Sequence, residues 1–261
     1  MGYVGFEFFG YFIAYYGLMI LIGITIACIV SFYIIKHNKL VWNDFIILLS
    51  VSGLFAIIGA KVIYIIINLN NIEIHKLCDL RYWSLLMQGG FVFYGGLIGG
   101  IIGAWICKKT LKIDVVKYIN CCIPCLPMAH GFGRIGCGLV GCCYGKMYTG
   151  LGNIVYKHSM FAPNNVKLFP IQFIEAGGEF VIALVLVMDE IKGNKKELPL
   201  KYLLMYSIMR FVLEFMRGDS ERGYIGILST SQVVSIVIFM LCIYKFAYIR
   251  KNNFIEKNRC L

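Results

Sequence analysis

The chain has 261 residues, of which 59% are hydrophobic and only 15% are charged. A soluble domain usually has about 45–50% apolar and about 25% charged residues. The composition therefore excludes a soluble globular protein, a disordered chain and a secreted disulfide scaffold, and it indicates a polytopic membrane protein. The formal net charge of +11 is typical of basic cytoplasmic loops in such a protein, so it does not indicate nucleic-acid binding.

A membrane-spanning helix needs about 20 mostly apolar residues. The first predicted span covers residues 11–35 and is followed by basic residues. The second, residues 45–67, contains Lys61 within an apolar run. The third, residues 90–107, is rich in glycine and precedes four lysines. These three stretches predict three helices in the membrane.

Four further apolar stretches follow, at residues 119–140, 171–188, 200–216 and 226–248. Basic residues concentrate after the first, third, fifth and seventh spans, and the positive-inside rule assigns such segments to the cytoplasm. We therefore predict an all-α membrane protein with seven transmembrane helices, its N-terminus outside and its C-terminus cytoplasmic. The connections are short, so residues 1–261 are expected to form a single domain.

Ionisable side chains inside a membrane are costly and are therefore candidates for function. This chain places such residues within or at the ends of its spans: Lys61, Arg134, Glu175, Arg210, Glu214 and Arg217. The last three follow i, i+4, i+7 spacing, which predicts one helical face. They either form an ion-pair network that holds helices together or line a shared polar cavity. Arginines that are not matched by an equal number of acidic residues indicate a site for an anion. A guanidinium matches the geometry of a phosphate, such as that of a lipid head group.

The cysteines form two clusters along the fourth span. One contains Cys121, Cys122 and Cys125, and the other contains Cys137, Cys142 and Cys143. About 20 Å of helix separates the two clusters, so they cannot share one metal site. Simple packing is one interpretation of these thiols. A disulfide or an acyl-carrying thiol at Cys142 or Cys143 is the other.

Several segments together resemble the bacterial prolipoprotein diacylglyceryl transferase family. Residues 133–146, GRIGCGLVGCCYGK, are similar to the family signature. Six other segments match family elements in chain order: YYGLMILIG (15–23), GAKVIYI (59–65), GGFVFYGGLIGG (89–100), FPIQFIE (169–175), RFVLEFMRGD (210–219) and SQVVSI (231–236). The resemblance extends over nearly the whole chain and agrees with seven spans.

The resemblance implies a bacterial plasma-membrane enzyme of lipoprotein biosynthesis that moves diacylglycerol from phosphatidylglycerol to the lipobox Cys thiol of a prolipoprotein signal peptide. The product is a thioether, and no cofactor, metal ion or nucleic acid is implied. Arg134 and Arg217 would hold the lipid phosphate. The implied lipid-binding set also includes Lys61, Arg210, Tyr16, Tyr64, Gly95, Gly96 and Gly145. The supporting set comprises Gln172, Glu175, Glu214, Cys137 and Cys142.

The chain departs from the family pattern at the position of a proposed catalytic base. Tyr94 replaces a histidine, and a tyrosine has an ordinary pKa of about 10 against about 6.5 for histidine. His130, one helical turn before Arg134, is either a substitute base or a residue that packs between helices. Cys137 and Cys142 replace an asparagine and a glutamate of the signature.

Three interpretations follow from these departures. The chain is an enzyme that uses Tyr94 as its base, a paralogue that transfers a lipid-derived group to another acceptor, or a non-catalytic lipid-binding homologue. A transporter is a further alternative from a different functional class. That alternative predicts an inverted repeat and a site at the membrane midplane, and the sequence contains no recognisable repeat.

Overall fold

The computed structural model describes residues 4–69, 79, 82, 90, 92–193, 197–219 and 223–259. Helices dominate these ranges, as the composition predicts. We number them α1 (Tyr15–His37), α2 (Trp42–Ile67), α3 (Phe93–Thr110), α4 (Val115–Cys122), α5 (Cys125–Val140), α6 (Ile171–Ile191), α7 (Leu198–Glu214) and α8 (Thr230–Arg259). Most of residues 68–89, which connect the second and third predicted spans, lie outside the described residues, and so does Phe91 of the glycine-rich segment.

Four segments of the described chain are long and apolar enough to cross a membrane. They are Tyr15–His37, Trp42–Ile67, Ile171–Ile191 and Thr230–Asn252. A mostly helical membrane protein is therefore confirmed in this coarser form. The count of seven spans and the orientation of the termini remain predictions.

The first predicted span begins too early. Residues Gly5–Phe8 (β1) and Tyr11–Ala14 (β2) form an antiparallel hairpin, with Phe9 and Gly10 at positive φ in the turn. The α1 helix therefore starts at Tyr15 and not at residue 11. Apolarity alone could not separate this hairpin from the helix, because its strand residues are aromatic and β-branched as well as hydrophobic.

The seventh predicted span also begins too early, for a reason that is visible in the sequence. Two short strands, β5 (Tyr224–Ile225) and β6 (Leu228–Ser229), pair before the helix. Ser229 then caps the helix: its Oγ accepts from the Gln232 backbone N–H at 3.2 Å, and its own N–H donates to the Gln232 side chain at 3.0 Å. This Ser-x-x-Gln capping box fixes the start of α8 at Thr230.

The fourth predicted span is not one helix. The α4 helix ends at Cys122 and α5 begins at Cys125, with a turn at Ile123 and Pro124 between them. Proline has no N–H to donate and restricts the residue before it, so a continuous helix is interrupted here. At its other end, α5 stops at Gly141, whose φ of 94° forms a left-handed cap.

The described chain divides into two compact units. The unit of residues 35–119 is built on α2 and α3, which pack backbone to backbone. A methyl group added at Gly59 would overlap the Gly95 carbonyl oxygen, and one at Gly103 would lie 2.8 Å from the Ser52 Cα. Small residues are thus what allows these two helices to approach so closely.

The other unit, residues 1–34 and 120–261, contains α5 to α8. A buried apolar cluster joins α6 and α7 through Ile182, Leu186, Leu198 and Tyr202. A third hairpin, β3 (Ile154–Val155) with β4 (Lys167–Leu168), lies in the connection between α5 and α6. This unit carries most of the candidate site.

Candidate functional site

Glu175 is the centre of a buried ion-pair network that joins three helices. Its Oε1 lies 2.8 Å from an Arg134 terminal nitrogen on α5 and 3.5 Å from one of Arg210 on α7. Arg210 also pairs with Glu214 one turn away at 2.9 Å and donates to Ser231 on α8 at 3.3 Å. The glutamate and both arginines are largely or fully withdrawn from solvent. The predicted proximity of these charged residues is therefore present in the structure.

Arg217 does not lie on the helical face expected for it. The α7 helix ends at Glu214, and Arg217 follows in a turn that forms an antiparallel bridge with Gly145. Its partner is Asp219, which accepts two hydrogen bonds from the guanidinium at 3.0 and 2.6 Å. The i+7 prediction is wrong because the helix ends before that position is reached.

The expectation that arginine charge exceeds acidic charge is also wrong for the described residues. Arg134 and Arg210 share Glu175, Arg210 also pairs with Glu214, and Arg217 pairs with Asp219. Two buried donors of the network nevertheless have no hydrogen-bond acceptor among the described residues: the Arg134 Nε and the Arg210 Nη1, of which the second lies 3.5 Å from Glu175. A buried N–H without a partner is costly, and a phosphate oxygen would satisfy it.

Arg134 and Arg217 both lie close enough to the Cys143 thiol to act on it electrostatically. Gly218 lets the turn after α7 approach the loop after α5, since a methyl group there would overlap the Gly145 carbonyl oxygen. The Gly218 N–H donates to the Tyr144 carbonyl at 2.9 Å across the same bridge. The loop after α5 and the turn after α7 thus form one rigid junction beside both guanidiniums.

His130 on α5 and Glu179 on α6 form a second close pair of side chains. The His130 Nδ1 lies 2.6 Å from a Glu179 carboxylate oxygen, and Glu179 is completely buried. The Tyr206 ring lies 5.7 Å from the imidazole, centre to centre. A carboxylate on one ring nitrogen fixes the orientation of the imidazole and leaves the other nitrogen available for proton transfer.

The sulfur atoms of Cys137, Cys142 and Cys143 converge within 4.8 Å of one another. Cys137 is buried in the last turn of α5, and the other two follow its left-handed cap. Hydrogen bonds with the Cys137 and Cys142 thiols, together with Arg217 and Arg134, lower the pKa of the Cys143 thiol against the opposing effect of burial.

Gln172 and Tyr156 support this junction. The Gln172 side chain donates to the Cys142 carbonyl at 2.9 Å, and the Tyr156 hydroxyl donates to the Gly138 carbonyl at 2.9 Å. Burial raises the pKa of Tyr156 to about 12, so its hydroxyl stays protonated as a donor. Tyr16 on α1 contacts Gly136 of α5 and keeps a large exposed fraction.

The remaining predicted residues belong to the unit of residues 35–119. Lys61 is buried, donates to the Gly90 carbonyl at 3.4 Å and lies 4.9 Å from the centre of the Tyr64 ring. Tyr94 is 61% exposed near the start of α3. Gly95 faces Gly59 of α2, whereas a methyl group at Gly96 would make only ordinary contacts.

Sequence reasoning missed Glu179 as the partner of His130. The signal was present, because Glu179 follows Glu175 by one helical turn inside an apolar stretch, where a second carboxylate is expensive. It also missed the pairing of Asp219 with Arg217. That pairing depends on a turn that helical periodicity does not reveal.

Comparison with known proteins places the chain in a family. The model of the prolipoprotein diacylglyceryl transferase family matches residues 4–248. The chain belongs to this family. A phosphatidylglycerol–prolipoprotein diacylglyceryl transferase of Clostridium tetani is 37% identical to this diacylglyceryl transferase family member over 248 residues, covering 92% of this chain and 95% of that protein.

Two other relatives support the same placement of this diacylglyceryl transferase family member. A phosphatidylglycerol–prolipoprotein diacylglyceryl transferase 2 of Clostridium perfringens is 35% identical, covering 90% of each chain. A relative of the same type in Finegoldia magna is 28% identical, covering 92% of each chain. The resemblance first found in short segments is therefore confirmed over nearly the full length.

Proposed function

We propose that the protein is a phosphatidylglycerol–prolipoprotein diacylglyceryl transferase. Its substrates are then phosphatidylglycerol and a prolipoprotein whose signal peptide carries a lipobox cysteine. The cysteine thiol gives its proton to a base, and the sulfur forms a bond with the glyceryl carbon that carries the phosphate. The bond from that carbon to the phosphate oxygen breaks, and glycerol phosphate leaves with the electron pair.

The observation that carries this proposal is the buried, unpartnered Arg134 Nε within a fixed arginine network. Charge accumulates on the phosphate oxygen as the bond to carbon breaks, and preorganised donors stabilise such charge most effectively in a dry site. Glu175 holds Arg134 in place, and Asp219 holds Arg217. In this role Arg134 and Arg217 bind the phosphate, while Arg210 and Glu214 help to hold Glu175 and the arginines in position.

Lys61, Tyr64, Tyr16, Gly95, Gly96 and Gly145 form the rest of the proposed lipid-binding set, with Gln172, Cys137 and Cys142 in supporting positions. The whole chain is proposed to act as one multi-pass domain in the plasma membrane of a bacterium. Seven spans, an external N-terminus and a cytoplasmic C-terminus would place the junction of α5 and α7 on the outer side. Lipid and signal peptide would then enter sideways from the bilayer.

Two residues are candidates for the base that takes the thiol proton. Tyr94 occupies the position of the family histidine, and His130 is oriented by Glu179 at 2.6 Å. Replacing Tyr94 with Phe and His130 with Gln, each alone, separates the two. If a residue is the base, its replacement lowers the turnover rate and removes the fall in rate that the parent shows at low pH. A variant with the full parental rate excludes the replaced residue as the base.

The proposal is tested by mixing purified protein, in phosphatidylglycerol-containing micelles, with a synthetic lipobox peptide. Mass spectrometry of the peptide reports the diacylglyceryl adduct, and a peptide with Ser in place of the lipobox Cys is the control. We expect the adduct on the cysteine peptide alone. A folded protein that forms no adduct with the cysteine peptide would refute the proposed activity.

A further inference from the structure

The three thiols at the end of α5 meet at one point. The sulfur atoms of Cys137, Cys142 and Cys143 all lie within 4.8 Å of one another. A tetrahedral zinc ion with Zn–S bonds of about 2.3 Å holds its sulfur ligands about 3.8 Å apart. The sulfurs therefore need to close by at most about 1 Å, which small side-chain rotations provide. We propose that these three cysteines bind one thiophilic divalent cation, with Zn²⁺ as the native metal.

The backbone around the three thiols is already fixed. Gly141 adopts a left-handed φ of 94°, and Cys143 has a φ of 54°. The Gln172 side chain holds the Cys142 carbonyl at 2.9 Å, and the Gly218 N–H holds the Tyr144 carbonyl at 2.9 Å. Such support keeps ligands in place before the metal arrives, so little conformational entropy is lost on binding.

The surrounding charge fits a thiolate–metal centre. Three thiolates and one Zn²⁺ carry a net charge of −1, and the guanidiniums of Arg134 and Arg217 act electrostatically on Cys143. As three S–Zn bonds form, three thiol protons pass to bulk water. A disulfide would use only two of the three converging sulfurs and would need an oxidant.

Three protein ligands leave the fourth position of a tetrahedral zinc ion open. This step rests on the proposed function: that position lies in the same junction as the arginines proposed to bind the lipid phosphate. A thiol that coordinates zinc is deprotonated outright. With the metal bound, the acceptor cysteine would bind there through its sulfur and its proton would pass to water. The thiolate would then form the bond to the glyceryl carbon as the bond from that carbon to the phosphate oxygen breaks and glycerol phosphate leaves, so that no histidine base would be needed.

Metal binding is measured with Cd²⁺ as the probe, because thiolate–cadmium bonds give an ultraviolet charge-transfer band. The parent protein in detergent, reduced and freed of metal by a chelator, is titrated alongside C142S, C143S and the matched control C122S from the other cysteine cluster. We expect one Cd²⁺ per chain in the parent and in C122S, displaced by Zn²⁺, and loss of tight binding in C142S and C143S. A parent that binds no Cd²⁺, or variants at Cys142 and Cys143 that bind like the parent, would overturn the site.

The fourth position is tested by adding lipobox peptide to the cadmium-loaded parent. The band should grow by about one third, because four thiolates replace three, and the Ser peptide should leave it unchanged. An unchanged band with the Cys peptide would overturn binding of the acceptor at the metal. Adduct formation at equal rates with and without metal would refute the metal's role alone, whereas absence of the adduct in every preparation would refute the proposed function.

Discussion

Replacing Glu175 with Gln tests the centre of the ion-pair network. The carboxylate is only 2% exposed and faces Arg134 at 2.8 Å and Arg210 at 3.5 Å. Gln has nearly the same shape and keeps one acceptor oxygen, so the substitution removes charge and leaves packing almost unchanged. Arg210 then keeps its ion pair with Glu214, whereas Arg134 keeps no carboxylate partner among the described residues.

Removing one partner of a buried ion pair costs about 3–5 kcal/mol, because the remaining charge is buried without compensation. A change of that size lowers the unfolding temperature of a chain of this length by about 10 °C. The measurement is thermal unfolding of the purified protein in one detergent, followed by tryptophan fluorescence or by scattering.

The matched control is Asp189→Asn on the same helix. Asp189 pairs with Lys201 at 2.5 Å, but both side chains are partly exposed, at 23% and 32%. A pair that water can screen contributes less than about 1 kcal/mol, so this variant should unfold within about 4 °C of the parent. If Glu175→Gln unfolds as late as Asp189→Asn, the buried network does not stabilise the fold as described.

Two further predictions concern packing and hydrogen bonding. Gly59→Ala should lower the unfolding temperature, because the added methyl group would overlap the Gly95 carbonyl oxygen. The control, Gly53→Ala on the same helix, places its methyl group where no atom lies within 4 Å and should be neutral or stabilising. Equal unfolding temperatures of the two variants would contradict the close contact of α2 and α3. Tyr156→Phe should cost about 1–3 kcal/mol, since the buried Gly138 carbonyl loses its donor at 2.9 Å; parental stability in thermal unfolding would show that this hydrogen bond does not hold the junction.

Much of the helical architecture could be predicted from apolar length alone, because the bilayer sets how many apolar residues a span needs. Helix ends were harder to predict. The hairpin before α1 is as apolar as the helix, so composition does not distinguish them. Two of the helix boundaries do have signals in the sequence. Pro124 marks the interruption of the fourth predicted span, and Ser229 with Gln232 marks the start of the seventh.

The charged residues Arg134, Glu175, Arg210 and Glu214 could be identified from the sequence, whereas Glu179, Asp219 and most of the pairings could not. Arg210 and Glu214 pair within one helix, and their spacing alone predicts this. The contact between Arg134 and Glu175 depends on which helices are neighbours, which helical periodicity does not encode. The convergence of Cys137 with Cys142 and Cys143 depends on the left-handed turn at Gly141, so spacing along the chain did not reveal it.

The phosphate-binding role of Arg134 and Arg217 is tested most directly by transfer rates of the Arg134→Ala and Arg217→Ala variants. Both should still insert in the membrane, and each should transfer diacylglycerol to the lipobox peptide at least about 100-fold more slowly, since removing one donor to developing negative charge costs that much. Lys201→Ala, which removes a partly exposed cation from α7, should keep the parental rate. Transfer by both arginine variants at the parental rate would contradict the central role of these guanidiniums.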